Sequence, residues 1–509
     1  MMEENRANQP GQSYDVPERE QLVRKPFLPA GKREVIFAGV TLLIAMALCN
    51  FILYGGFNLG FALAAVAYIG CAFVYLLAAG CKPSVYSVLL LCLSAVIAAA
   101  FARSDDGFVK LVMVCFLSVS VNLGLCLMAK QNLRSPGSLS SLLDAPRAVY
   151  RLGVGRLSNA FRGLKLAFHR SGSIGQKGGA FLLGLCLCVP VLAVVIPLLI
   201  SADAAFDGLI SLLPEIKFNE FFATVVLGSL LACTLYTRCV ALRHSPKEEP
   251  RKTNAKGMST ITVNTVLAAV CVVYSAYLVS QLAYFAGGFA GILPEGYTTA
   301  QYARRGFFEM AFLCAVNLGV IVMALGLVRK EKATPISTKV LCLFIGLVTL
   351  FLVAAASAKM FLYIGTYGLT RLRVLTQIVM LFFGLTTAVV MVWLFVPKLP
   401  YMKAVILAAM VIGAATIWAD VDTQVARYNV DAYLSGKLET VDVVHIFYLG
   451  DGAVPQLIRL AEEAPDPNVA REAQKWLAMC KADNCKDFRE WNYVNYMTRQ
   501  YLPKESSEG

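Results

Sequence analysis

From residue 35 to residue 419 the chain alternates long apolar runs with short polar breaks, and after residue 420 that alternation stops. A helix needs about 20 mostly apolar residues to cross the hydrocarbon of a bilayer. Eleven runs approach or exceed that length: 35–54, 58–80, 84–102, 109–129, 178–201, 220–242, 260–285, 307–328, 338–363, 372–396 and 402–419. The last is short and ends on Trp418, Ala419 and Asp420. The pattern predicts an all-α protein: a polytopic transmembrane helical bundle of about 11 spans with a C-terminal amphipathic-helical extramembrane module.

The module is read from a different period. "VDTQVARYNVDAYLSG" mixes apolar and polar positions at helical spacing and stops at Gly436, a residue type that ends helices readily. In "GDGAVPQLIRLAEEAPDPNVAREAQKWLAMC", Asp451 precedes an amphipathic helix that ends before Pro465, and Asp466 with Pro467 opens another. Such a pair resembles one unit of an α-solenoid. A single unit cannot cover its own apolar face, so it must pack on other tail helices or on the bundle. The aromatics of "DFREWNYVNYMTRQYL" fit core packing or interface anchoring.

Composition agrees with a membrane protein: of 509 residues 58% are hydrophobic and 16% charged. The net charge of +13 is carried by loops upstream of Asp420, while the tail is acidic. That distribution reports orientation in a bilayer and gives no reason to expect nucleic acid. With the N-terminus cytoplasmic, one set of flanks holds 27 Lys and Arg and the other 7. The rule that positive loops stay inside then gives a cytoplasmic N-terminus and an extracytoplasmic C-terminus. The domains follow: 1–34 a disordered cytoplasmic tail, 35–419 the membrane domain with basic cytoplasmic loops 130–177 and 243–258, and 420–509 an extracytoplasmic helical tail. "PRAVYRLGVGRLSNAFRGLKLAFHR" in the first loop could also lie along an anionic leaflet. His169, His244 and His445 are far apart, so no metal or cofactor is expected. Most of the fifteen cysteines lie in or beside apolar runs, whereas Cys480 and Cys485 could form a local disulfide in an outside tail.

The candidate chemistry is a set of cations at helix starts. Arg304 and Arg305 precede the eighth run, and Arg371 and Arg373 open the tenth after Thr370, a candidate N-cap. A cation at a helix N-terminus opposes the helix dipole and sits on the side of the membrane where basic residues are scarce, so it calls for an anion. Three sources are open: the carboxylates Glu309, Asp203, Asp207, Asp420 and Asp422, which would dock the tail on the bundle; lipid phosphates; or a bound phosphate or carboxylate. Lys359 lies inside the ninth run, with Glu309 as a candidate partner, and an ionisable group at that depth is a functional candidate that snorkelling also explains.

Several stretches together, "LLISADAAFDGLI", "GYTTAQYARRGFFEM", "YIGTYGLTRLRV", "VARYNVDAYL", "GDGAVPQL" and "DFREWN", resemble a bacterial membrane-protein family catalogued as domain of unknown function 4173. The resemblance implies a multi-pass inner-membrane protein with an extramembrane C-terminus, and it brings no reaction or catalytic residue. No phosphate-binding loop, zinc-protease motif or inverted repeat is visible. The reading that follows first is transport or flipping of an anionic small molecule or lipid-linked substrate, in contact with the lipid bilayer and with an anionic lipid or envelope component. The second is a structural or regulatory protein that recruits an envelope partner through its tail. The third is a membrane transferase using Asp203, Glu309 or Asp420 at the outer face.

Overall fold

A computed structural model describes residues 31–103, 107–132, 218–244, 257–289, 307–328, 334–480 and 487–502, with four isolated positions at 146, 150, 195 and 199. Among the described residues ten helices form a bundle: α1 Lys32–Gly55, α2 Leu59–Ala78, α3 Val85–Ala100, α4 Gly107–Met128, α5 Phe218–His244, α6 Thr260–Phe289, α7 Phe307–Leu327, α8 Ile336–Tyr367, α9 Arg371–Phe395 and α10 Tyr401–Ala419. Among the described residues no β-strand occurs, only an isolated bridge between Met258 and Val328. Nine of the ten are long and apolar enough to cross a membrane, whereas α3, with 16 residues, is shorter than a straight crossing needs. The run at 178–201 and the basic loop before it lie outside the described residues, and the first helix begins at Lys32 rather than 35.

These helices are apolar all round, which is why they carry large hydrophobics on the outside of the bundle as well as within it. Ile36, Leu43, Val272 and Phe312 are each at least two-thirds exposed on the bundle's flank. Such a surface suits a lipid surround and is unfavourable in water. Inside, α1–α5 share one apolar core with parts of α6–α10, and α7, α8 and α9 build a second around Cys314, Leu352 and Met380. Several polar side chains within the helices bond to one another across helix boundaries. Ser94 Oγ and Ser120 Oγ lie 2.9 Å apart, and Tyr274 donates to Asn317 Oδ1 at 2.6 Å while Asn317 Nδ2 donates to Thr349 Oγ1 at 3.0 Å.

Cross-contacts fix the direction of each helix. Asn50 bonds Thr224 and Glu34 meets His244, so α1 and α5 are antiparallel. Lys110 at the start of α4 donates to Asn58 just before α2, and Arg238 donates to Asn122, so α2, α4 and α5 run parallel. Tyr86 lies under Lys403 and Trp418 donates to the Val96 carbonyl, which makes α3 and α10 parallel. Helices α1, α3, α8 and α10 therefore finish at the end of the bundle where α2, α4 and α9 begin.

That end carries the tail. Helices α11 Val421–Leu434, α12 Val443–Phe447, α13 Val454–Glu463, α14 Pro467–Leu477 and α15 Tyr493–Thr498 follow α10, with a 3-10 turn at Asp451–Ala453. The start and stop signals in the sequence are the ones used: Gly436 has φ +72°, Asp466 accepts from Asn468 N at 2.8 Å, and Pro467 opens α14. The α13–α14 pair does not cover itself. Leu457, Leu460 and Ala473 join Val425, Val430 and Ile446 in one core, against which Leu369 and Val374 of the bundle also pack.

Candidate functional site

The hinge between bundle and tail is Asp420, which ends α10 and precedes α11 in the left-handed conformation at φ 52°. A non-glycine residue there costs of order 1 kcal/mol. Its buried carboxylate accepts from Thr423 Oγ1 at 2.6 Å, which fixes the turn. The turn folds α11 back over the loop joining α8 to α9, and that brings Asp422 to Arg371. Arg371 donates from Nε to Asp422 Oδ1 at 2.7 Å and from Nη2 to Oδ2 at 2.5 Å, a two-pronged pairing. The anion that the N-terminus of α9 needs is thus a carboxylate of the chain itself.

Two further contacts close the junction. Asn429 of α11 accepts from Leu369 N at 2.6 Å and donates to Leu369 O at 2.8 Å, pairing with the loop as a strand neighbour would. Gly368 makes this approach possible: its φ is +74°, and a Cβ there would stand 2.5 Å from Asn429 Oδ1. Arg373 points the other way along the same loop. It donates to the carbonyls of Tyr367 and Gly368, lies 4.2 Å from the Tyr363 ring centre, and so places its charge at the C-terminus of α8, where the dipole favours a cation. Thr370 caps α9 by accepting from Arg373 N.

A second strap arrives from the far end of the tail. Arg489, paired with Asp487, donates to Asn50 Oδ1 at 2.8 Å. Leu59 N donates to Trp491 O at 3.1 Å, and Tyr493 N donates to Ala102 O at 2.8 Å, so the segment bonds the ends of α1, α2 and α3 in turn. Arg103 stacks on Tyr493, and Thr498 Oγ1 donates to Asp451 O at 2.7 Å, tying the strap back to the tail core. Gly55 is pressed against Arg489, whose backbone oxygen would lie 2.7 Å from any added Cβ.

The structure brings together Arg371, Asp422, Arg373 and Asp420 at the tail junction. Asp203, Asp207, Arg304 and Arg305 lie outside the described residues. Glu309 is exposed in the first turn of α7, and Lys359 is half-buried on α8; no ion pair joins the two among the described residues. Cys480 is a free thiol whose Sγ donates to Trp476 O at 3.5 Å, and Cys485 is outside the described residues. Burial pushes the Cys480 thiol above its ordinary range, with Asp451 adding to the shift.

One residue escaped the sequence reading. Arg238 counts there among the cytoplasmic loop cations, but it is enclosed in the bundle at 7% exposure, with Tyr68, Asn122 and Cys239 round it. The available signal was its position inside the apolar run 220–242, four residues or about one turn before its end.

Residues 85–460 match a family model described as Domain of unknown function (DUF4153). This corrects the resemblance drawn from short stretches, which pointed to domain of unknown function 4173. Five of the six quoted stretches fall inside the matched range, and "DFREWN" falls beyond it. Short runs of this kind hold too few distinctive residues to separate two families of multi-pass proteins. Comparison with curated proteins and with solved structures gives no match.

Proposed function

The chain belongs to the family of Domain of unknown function (DUF4153), and we propose that this member is a multi-pass plasma-membrane protein whose bundle anchors a folded extracytoplasmic tail for a structural or regulatory role towards an envelope partner. One observation carries the reading: the tail is bound to a single end of the bundle by two separated segments, 420–429 and 489–494, through an ion pair, a side-chain bridge to backbone and direct backbone bonds. A connector that merely trails from the last span has no need of such fastening. Transport through the outer arginines is less well supported, because Arg371 and Arg373 have their bonding taken up within the chain.

Charge favours the orientation. Lys32, Arg33, Lys82, Lys130, Arg243, Lys339, Lys398 and Lys403 gather at the end away from the tail, and Arg103, Lys110, Arg371 and Arg373 at the tail end. By the positive-inside rule the tail is then extracytoplasmic. The parallel course of α4 and α5 supports a further crossing between them, and with α3 as a short span the total is eleven. The exposed working surface is the α12–α14 side, where Phe447, Tyr448 and Trp476 cluster and Tyr448 is 71% exposed.

Deleting residues 437–509 tests the role. A protein acting through its tail loses complementation of a deletion strain while the bundle still inserts and purifies. Full complementation by the truncated protein would overturn the reading. Labelling Cys480 on intact cells with a membrane-impermeant maleimide tests the side: reaction before lysis is expected, and reaction only after lysis would reverse the topology.

A further inference from the structure

The enclosed Arg238 is independent of the tail. Its Nη1 donates to Asn122 Oδ1 of α4 at 2.6 Å, its Nη2 donates to the Tyr68 hydroxyl of α2, and its guanidinium carbon lies 5.5 Å from the Tyr68 ring centre. The Tyr68 hydroxyl is in turn 3.4 Å from Cys239 Sγ. Every one of these partners is a neutral group, and the buried Nε has no acceptor. A guanidinium stays protonated under any ordinary condition, so its charge is left without a balancing anion in an apolar bundle.

Two more polar groups along the same seam are unused. Thr41 of α1 and Thr237 of α5 are wholly buried, and neither hydroxyl has a partner. Helical threonines commonly return the hydroxyl to a carbonyl one turn back, as Thr349, Thr387 and Thr416 do here. The register of α1 on α5 is set by Phe37 beside Tyr236, Met46 against Gly228 and Asn50 on Thr224. It puts Thr41 within about one turn of Thr237, whose chain neighbour is Arg238. The unmet need along this seam is for an acceptor that is also negative.

We propose that the seam between α1, α2, α4 and α5 is a binding site for a small monovalent inorganic anion of the halide class, with Arg238 Nε as the charged ligand and the Thr237 and Thr41 hydroxyls as neutral donors. Size follows from the donors left over: Arg238, Tyr68, Asn122, Thr41, Thr237 and Cys239 are all buried, and the three unpartnered donors among them match one small anion and not a phosphate with four oxygens to satisfy. A water molecule meets the hydrogen bonds and leaves the charge unbalanced. Asn122 and Tyr68 hold the guanidinium so that Nε is the donor left over.

The test uses the full-length protein in detergent. Thermal unfolding is followed across a bromide titration at constant ionic strength, with gluconate as the replacement anion and phosphate as a separate arm. A saturable rise of several degrees with bromide is expected, absent in gluconate and in R238Q, together with an anomalous bromide peak beside Arg238 in crystals. T237V keeps the arginine and its packing, and it should weaken the bromide midpoint by about tenfold. Should R238Q not fold, T237V and the anomalous peak decide the matter. Equal responses to bromide and gluconate, an unchanged midpoint in T237V with no bromide peak at Arg238, or a response to phosphate alone would each overturn the proposal.

Discussion

Arg371 and Arg238 are the same side chain in two settings. Arg371 stands at the end of the bundle, one-third exposed, and meets a carboxylate through two hydrogen bonds; Arg238 stands inside the bundle and meets an amide and a phenol. At the end of the helices an ion pair is inexpensive, because partial hydration covers the charge before the tail docks. Within the bundle a carboxylate would have to be desolvated as well, and neutral acceptors avoid that cost at the expense of an unbalanced charge. The comparison teaches that the first arginine is a fastening of the fold, while the second is a buried charge that meets neutral partners only.

The largest way to break this contrast is to unseat Arg238. Asn122→Leu removes the acceptor of Nη1 and should destabilise the bundle by about 2–3 kcal/mol, read as a fall in the denaturant midpoint, because a buried charged donor is left unmet. A loss below ~0.5 kcal/mol would mean that Arg238 reaches water or headgroups and is not enclosed. Next comes Gly55→Ala, whose Cβ would meet the Arg489 backbone. It should lift the strap at residues 487–494, seen as faster amide exchange at Leu59 and Tyr493 with the α11–α14 core unchanged.

The junction pair should respond less. Asp422→Asn is expected to cost about 1 kcal/mol, since Arg371 can rehydrate once its partner is neutral. The swap of Arg371→Asp with Asp422→Arg should recover part of that loss, and no recovery at all would show that geometry rather than charge is what counts. Smaller again is Arg459→Gln. The Arg459 contacts with Asp431 and Glu463 are solvent-exposed, and the change in tail stability should stay under ~0.5 kcal/mol and vanish in high salt. Finally, Cys480 offers a pH reading. Burial raises its thiol, so the thiolate fraction at neutral pH is below that of an exposed cysteine, and its maleimide rate should keep climbing at alkaline pH after an exposed control has levelled off. Coincident profiles would mean that α14 frays at its C-terminal end.

Much of this architecture was legible from residue order alone. Long apolar runs became α1–α10 because a backbone out of water must bond within its own segment, and that condition acts locally. Asp466–Pro467, Gly436 and Thr370 marked helix limits for the same local reason, since capping involves only the first or last turn. The need for an anion near Arg371 was also readable, as a charge at the wrong end of a dipole. Which anion answers it depended on the left-handed turn at Asp420, which folds α11 back through 51 positions of sequence to set Asp422 on Arg371. The enclosure of Arg238 was further out of reach. It depends on Tyr68 and Asn122, 170 and 116 residues away, and on how α2, α4 and α5 pack. Sequence period sets which residues share a helix face, but burial of a charge is decided by which other helices cover that face, and only the tertiary arrangement contains that.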